Sequence, residues 1–341
     1  MIRILNIGRT LIRRCISWLN KDRKPLIFMI MSKQFYLAAF AAMSLVGCNE
    51  KMLEQNVPAT EEVRLTVNLP QLATKVMGTP SDDAVNSLQI FVFNKYGVYE
   101  TSASGSGKSL TLTCTTGEKQ IMALVNADTE SNVPDINTLR SRKAKLSSMA
   151  AGDLIMSGET TDELTNDSSI EMNVKRLPSR VILNSVQTDF DLEQHKSLSF
   201  AVKSVFLINV AGDAPYSGTS TPRQWHNVAD YDPVTNLPFL RDQVSSGEIT
   251  EDGVYDTRHY FYCMPNSTET RTRLVVEAEI EGDTYYYPIT LEKVEQNTSY
   301  SYNLTIKRFG SDSPDVPVED GSVTFTVEVD PWVESVVDEI I

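Results

Sequence analysis

The chain has 341 residues, 41% of them hydrophobic, enough for two ordinary domains with packed cores and too apolar for general disorder. It carries 45 acidic against 31 basic side chains, a net charge of −14, and the balance is uneven. Residues 1–47 hold eight Lys/Arg against Asp22 alone, so the remainder stands at −21. Such an acidic body lacks the Lys/Arg clusters that neutralise phosphates, which excludes nucleic acid as a partner and suits an extracellular surface.

Residues 1–47 read as a leader. From Met31, Lys33 forms a short basic region and residues 35–46 an apolar one, too short to span a bilayer. Residues 1–30 are basic without pattern and are read as lying upstream of a true start at Met31. Leu45-Val46-Gly47-Cys48 resembles the lipobox of bacterial lipoproteins. There a lipoprotein signal peptidase cuts before the cysteine, whose sulfur receives a lipid. Acyl chains on Cys48 would hold the protein on a membrane by about 0.8 kcal/mol per buried CH₂. Residues 48–60 then form a polar tether.

The body opens with a strand. Val63, Leu65, Val67 and Leu69 alternate with Arg64, Thr66 and Asn68, so four apolar side chains share one face. Pro70 stops the ladder and a polar run follows, with Lys75 its single basic residue. Strands are predicted at 86–94, 109–115, 119–126, 153–158 and 169–174, with a Ser/Gly-rich loop at 101–109 and one helix over 134–150. A second series follows at 197–210, 258–264, 272–280, 284–291, 299–307 and 323–329, with Glu281-Gly282-Asp283 as a hairpin turn. Residues 211–256 read as a long insertion. Many short strands and one helix indicate β-sandwiches, two in tandem, over 61–176 and 177–332. Residues 333–341 continue past the last strand as an apolar tail carrying Val333, Val336, Val337, Ile340 and Ile341.

Catalytic chemistry is not visible. His195, His226 and His259 stand apart from each other and from cysteine, without metal-ligand spacing, and read as loop or strand-surface residues. Gly105-Ser106-Gly107-Lys108-Ser109 lacks the spacing of a phosphate loop and precedes a strand. Asp82-Asp83, Glu61-Glu62 and Asp312/Asp315 read as solvated surface acids. In Tyr285-Tyr286-Tyr287, alternation puts only Tyr286 outside. Cys114 and Cys263 read as buried free thiols. No enzyme, cofactor or metal is expected.

These pieces together resemble one family. They are the lipobox leader, VRLTVNLP at 63–70, a linker with one basic residue and SLQIFVFN at 87–94. Later come KRLPSRVIL at 175–183, EQNTSYSYNLTIKR at 295–308 and TVEVDPWVE at 326–334. Over 31–341 their order resembles the major fimbrillins of Bacteroidales, the type V pilins. The resemblance implies an all-β chain of two tandem transthyretin-like β-sandwich domains with one short helix in the first. It implies a cell-surface fimbrial subunit supporting adhesion, exported as an outer-membrane lipoprotein. A trypsin-like protease would cut after the basic residue of the linker, here Lys75, leaving Val76 as the new N-terminus. Arg64 is the rival site, but it lies mid-strand. The strand of Val63, Leu65, Val67 and Leu69 would then leave, and the tail with Val333, Val336, Val337, Ile340 and Ile341 would enter from another copy. Partners are copies of the chain and related accessory fimbrial subunits. Two other readings stay open: an accessory, anchor or tip lipoprotein that does not polymerise, and a surface glycan-binding lipoprotein using residues 211–256.

Overall fold

The computed structural model describes residues 60–70, 82–218, 221–228, 237–249, 253–318 and 321–331. Up to residue 176 the chain forms β1 (Glu62–Asn68), β2 (Leu88–Asn94), β3 (Tyr99–Gly105), β4 (Ser109–Thr115), β5 (Gly117–Val125), helix α1 (Ile136–Ser141), β6 (Lys143–Lys145), β7 (Met156–Leu164), β8 (Ser168–Glu171) and β9 (Lys175–Arg176). Then come β10 (Ser179–Thr188), β11 (Phe200–Ile208), β12 (Val210–Ala211), β13 (Asp213–Pro215), β14 (Trp225–His226), β15 (Arg241–Gln243), β16 (Glu248–Ile249) and β17 (Val254–Tyr255). The last five are β18 (His259–Cys263), β19 (Arg273–Ile280), β20 (Asp283–Thr290), β21 (Thr298–Ile306) and β22 (Val323–Pro331). Among the described residues the fold is all-β apart from α1 and short 3₁₀ turns.

A small sheet, β4-β1-β8, packs on one face of a five-stranded sheet, β3-β2-β5-β7-β9. Their shared core includes Val63, Leu65 and Val67 from β1, Leu88 and Ile90 from β2, and Ile121 from β5. The other face of the large sheet packs Phe91, Phe93, Met122 and Leu124 with Ile136 and Leu139 of α1. That double burial explains why LQIFVFN and QIMALV read as unbroken apolar runs.

Two further sheets form the other sandwich. In one, β10 pairs in parallel with β21, β22 continues beyond β21, and β17 and β18 lie on the opposite side of β10. The other runs β15-β11-β19-β20, with β16 also on β11. Val181 and Leu183 of β10 and Tyr302 beside them on β21 share one core with Val205, Leu207 and Val276 of the other sheet. The predicted turn at 281–283 is present: Glu281 at φ 52° and Gly282 at φ 94° give the twist that joins β19 to β20.

Several expectations are corrected. The helix stops at Ser141 instead of 150, and its N-cap is Asp135, whose carboxylate accepts the Thr138 amide at 2.8 Å. Beyond it, Lys143–Lys145 pairs with Asp213–Pro215, and Lys143 meets Asp213 at 2.9 Å. That pairing overrides local helix preference. The 101–109 loop is largely β3, an edge strand whose small residues need no burial because it pairs with β2 on one side only. The strand predicted to end at 158 runs on to Leu164. The 211–256 stretch is not a free excursion: Asp213, Ala214 and Tyr216 are buried. His259 is buried between Tyr255 and Asp242, and Tyr286 is half-buried against Phe206, Ile208 and Val275.

Candidate functional site

β1 occupies the centre of the small sheet. It runs antiparallel to β4, with Val63 opposite Cys114 and Val67 opposite Leu110, and parallel to β8, with Val67 opposite Ile170. Val63, Leu65, Val67 and Leu69 are 0–6% exposed, while Glu62 and Arg64 face solvent. The four residues predicted to share a face therefore do so. Polar side chains seal the outer face. Thr66 and Thr111 hydroxyls lie 2.9 Å apart, Ser109 donates to Asn68 at 2.7 Å, and Asn68 donates to Ser169 at 2.9 Å.

This placement has a direct consequence. Among the described residues β4 and β8 have no ladder with each other, so β1 is their only link within that sheet. Taking β1 away would open a groove floored by apolar side chains and bordered by two strands with unpaired N–H and C=O groups. Burial worth about 1.5–3 kcal/mol for each of four side chains would have to be replaced. Arg64 projects outward, yet it is paired with Thr113 of β4 and its N–H donates to the Asp167 carboxylate at 2.8 Å. A protease that needs an extended, unpaired chain would not reach it there.

The chain after residues 71–81 is fixed in an unforeseen way. Asp82 and Asp83 are buried, not solvated. The Asp82 carboxylate meets Arg180 at 3.1 Å and accepts from the Tyr262 hydroxyl at 2.6 Å, while Arg176 pairs with Asp83 and donates its Nε–H to the Asp82 carbonyl at 3.2 Å. Burial, and then the bond to Asp82, push the Tyr262 hydroxyl above its ordinary value. Two arginines in KRLPSRVIL were the available signal: basic side chains flanking a strand start need acids somewhere, and Asp82-Asp83 provide them. Lys75 and Val76 lie outside the described residues, as do Cys48 and the tail residues Val333, Val336, Val337, Ile340 and Ile341.

At the other end, β22 forms an edge of its sheet. Val323, Phe325, Val327 and Val329 stand opposite Ile306, Leu304, Tyr302 and Tyr300 of β21. The β21 residues are buried, but Phe325, Val327 and Val329 remain 43–50% exposed. Among the described residues, the strand leading to the tail is thus an apolar row with one unpaired edge.

A second group near β1 was also missed. Lys119 is 3% exposed, and its ammonium lies 2.6 Å from Glu100 and 2.8 Å from the Thr115 hydroxyl. Its position shares the alternation of Ile121 and Ala123, so a lysine on the core-facing side was the clue. Burial pushes the Glu100 carboxyl up, but bonds from Lys119 and Thr115 outweigh it and hold the group below its ordinary 4.5. Cys114 and Cys263 are buried free thiols, as read from the sequence. Among the described residues no group of His, Cys, Asp and Glu could hold a metal ion, and no helix is long and apolar enough to cross a membrane.

With this geometry established, comparisons with known proteins are specific. A model of the fimbrillin-like family matches residues 96–332. No curated protein sequence matches. Among solved structures, one from Bacteroides eggerthii assigned to cell adhesion aligns with TM-score 0.64 at 19% identity, covering 80% of this chain and 97% of that one. A fimbrilin from Porphyromonas gingivalis aligns with TM-score 0.59 at 15% identity, covering 80% and 98%. A Parabacteroides distasonis structure, also assigned to cell adhesion, gives TM-score 0.60 at 18% identity, covering 80% and 100%. At these identities the structural likeness establishes the fold.

Proposed function

Because the chain belongs to the fimbrillin-like family, we propose that it is a structural subunit of a cell-surface fimbria that polymerises by replacing β1. The precursor is exported as a lipoprotein through Cys48, a protease cuts after Lys75, β1 departs, and the 333–341 tail of another copy takes its place. The two sandwiches, 61–176 and 177–332, are the tandem domains of the subunit in this scheme.

The observation that carries the reading is the position of β1. It is the middle strand of its sheet, it buries four apolar side chains, and its chain leads straight into the residues holding Lys75. A structural strand with this much burial is ordinarily continuous with its domain. Here residues 71–81 separate it from the clamp at Asp82. While the linker is whole, the tethered strand has an effective concentration in the millimolar range and excludes any competitor. Cutting the linker removes that advantage, and an apolar segment from a neighbour can then add its strand to the open edges. Insertion of one copy's C-terminus into the next copy's groove is heterologous and does not close, so it yields a filament. The open apolar row of β22, running directly into the tail, supports a C-terminal donor.

An accessory subunit that keeps its lipid would retain β1. A glycan-binding role on residues 211–256 has less support, since Asp213, Ala214 and Tyr216 are buried there. The test is trypsin treatment of purified precursor, with N-terminal sequencing and electrophoresis of the products. Wild type is expected to lose β1 and form a ladder of multimers. Lys75→Ala should stay whole and monomeric. A chain ending at Trp332 should be cut normally and remain monomeric. Laddering by the truncated chain would overturn the assignment of the tail as donor.

A further inference from the structure

We infer that Lys119 and Glu100 are positioning residues that brace β4, so that the groove left by β1 keeps its shape until a strand from a second copy enters. This rests on the strand replacement proposed above.

The inference begins with what β4 loses. Its only ladder among the described residues is to β1, so departure of β1 removes all of its inter-strand pairing. Leu112 and Cys114 would still point at an apolar floor that includes Leu88, Ile90 and Ile121. A freed strand bordering an empty apolar groove gains by collapsing into it, because the hydrophobic effect favours any closure that removes that surface from water. A collapsed groove cannot accept another strand without reopening.

The brace lies where it would oppose that collapse. The Thr115 amide, at the end of β4, donates to Glu100 Oε1 at 2.5 Å. Lys119 Nζ reaches Glu100 Oε2 at 2.6 Å and Thr115 Oγ1 at 2.8 Å. None of these bonds uses an atom of β1. Both charged partners sit on β3 and β5, which pair with β2 in the five-stranded sheet and keep those ladders when β1 is gone. Thr115 stands opposite Glu62, and its neighbour Cys114 opposite Val63. The brace therefore fixes the end of the groove that holds the first buried side chain of β1.

The choice of residue types points the same way. A buried ammonium is a poor stabiliser compared with an apolar side chain of equal size, since its desolvation offsets most of what the pairing gains. Position 119 shares the alternation of Ile121 and Ala123, where an apolar side chain would fill the core. What the ion pair adds is resistance to movement: neither charge can follow β4 inward without losing its partners.

Hydrogen exchange on the full chain tests this. Leu65→Asp with Val67→Asp drives β1 out without a protease, and reaction of Cys114 with a maleimide confirms that the groove is open. In that background the β4 amides near Thr115 are expected to stay protected. Adding Lys119→Met should lower their protection at least tenfold, and Lys119→Arg should restore most of it. With β1 in place, Lys119→Met should change β4 protection by less than twofold. Equal losses in the two backgrounds would make Lys119 a general stabiliser and overturn the proposal. So would free exchange along β4 with the brace intact. Filament growth is scored separately on cut protein: failure of wild type to assemble counts against strand replacement, and the exchange result stands regardless.

Discussion

Cys114 is the residue through which the state of the groove can be read. It is 4% exposed, directly opposite Val63, and the thiol is held above its ordinary value, first by burial. A maleimide should leave it untouched in the precursor, label it once the linker is cut and β1 released, and fail again after assembly. Cys263 provides the internal control, since it is fully enclosed and burial pushes its thiol up to about 12. Reactivity of Cys114 in the uncut chain would show that β1 does not seal the sheet. Glu100 gives a pH signature at the same end. Its folded carboxyl is held below 4.5, so its ion pair adds stability at pH values above the unfolded range and loses it as pH falls through the lower folded value. Urea midpoints of the precursor should therefore decline below pH 4.5, with a smaller decline for Glu100→Gln.

At the scale of elements, the clamp around Asp82 holds the chain on the far side of the linker. Arg180→Met would remove the cation paired with a carboxylate that is 1% exposed, leaving Tyr262 and the nearby Arg176, at a cost of about 3–5 kcal/mol. A clear drop in the melting temperature of the precursor is expected, with no change in where trypsin cuts; an unchanged melting temperature would show that Tyr262 and Arg176 suffice. How far the elements could be read in advance follows from where their partners lie. β1 and β2 were legible because their alternation and continuous apolar character record burial on one face and on two. The turn at Glu281-Gly282 was legible because its backbone needs residues that tolerate positive φ. α1 was drawn too long because the pairing of Lys143–Lys145 with Asp213–Pro215 joins segments about 70 residues apart, which no local pattern encodes. β3 was hidden since an edge strand can be built from Ser, Thr and Gly. Acids at 82–83 looked like surface because their arginine partners are some 94–98 residues away. Of the candidate site, the buried strand β1 is readable in the sequence, and the Lys119–Glu100 pair and the clamp at Asp82 are not.

For the molecule as a whole, the proposed polymerisation joins two ends of one chain. Toward the N-terminus β1 is deeply buried, and the scheme frees it by one cut after Lys75. The C-terminal end offers an apolar edge strand running into a tail. In the proposed scheme each copy is both acceptor and donor, and growth stops where a chain lacks one of these features. The net acidity of the body adds repulsion between copies, which in the proposed scheme opposes association before strands exchange. The most direct measurement is the intact mass and N-terminal sequence of subunits recovered from purified filaments. Subunits beginning at Val76, without Glu62–Asn68, are the expected result; subunits that still begin at Cys48 and carry β1 would contradict the account.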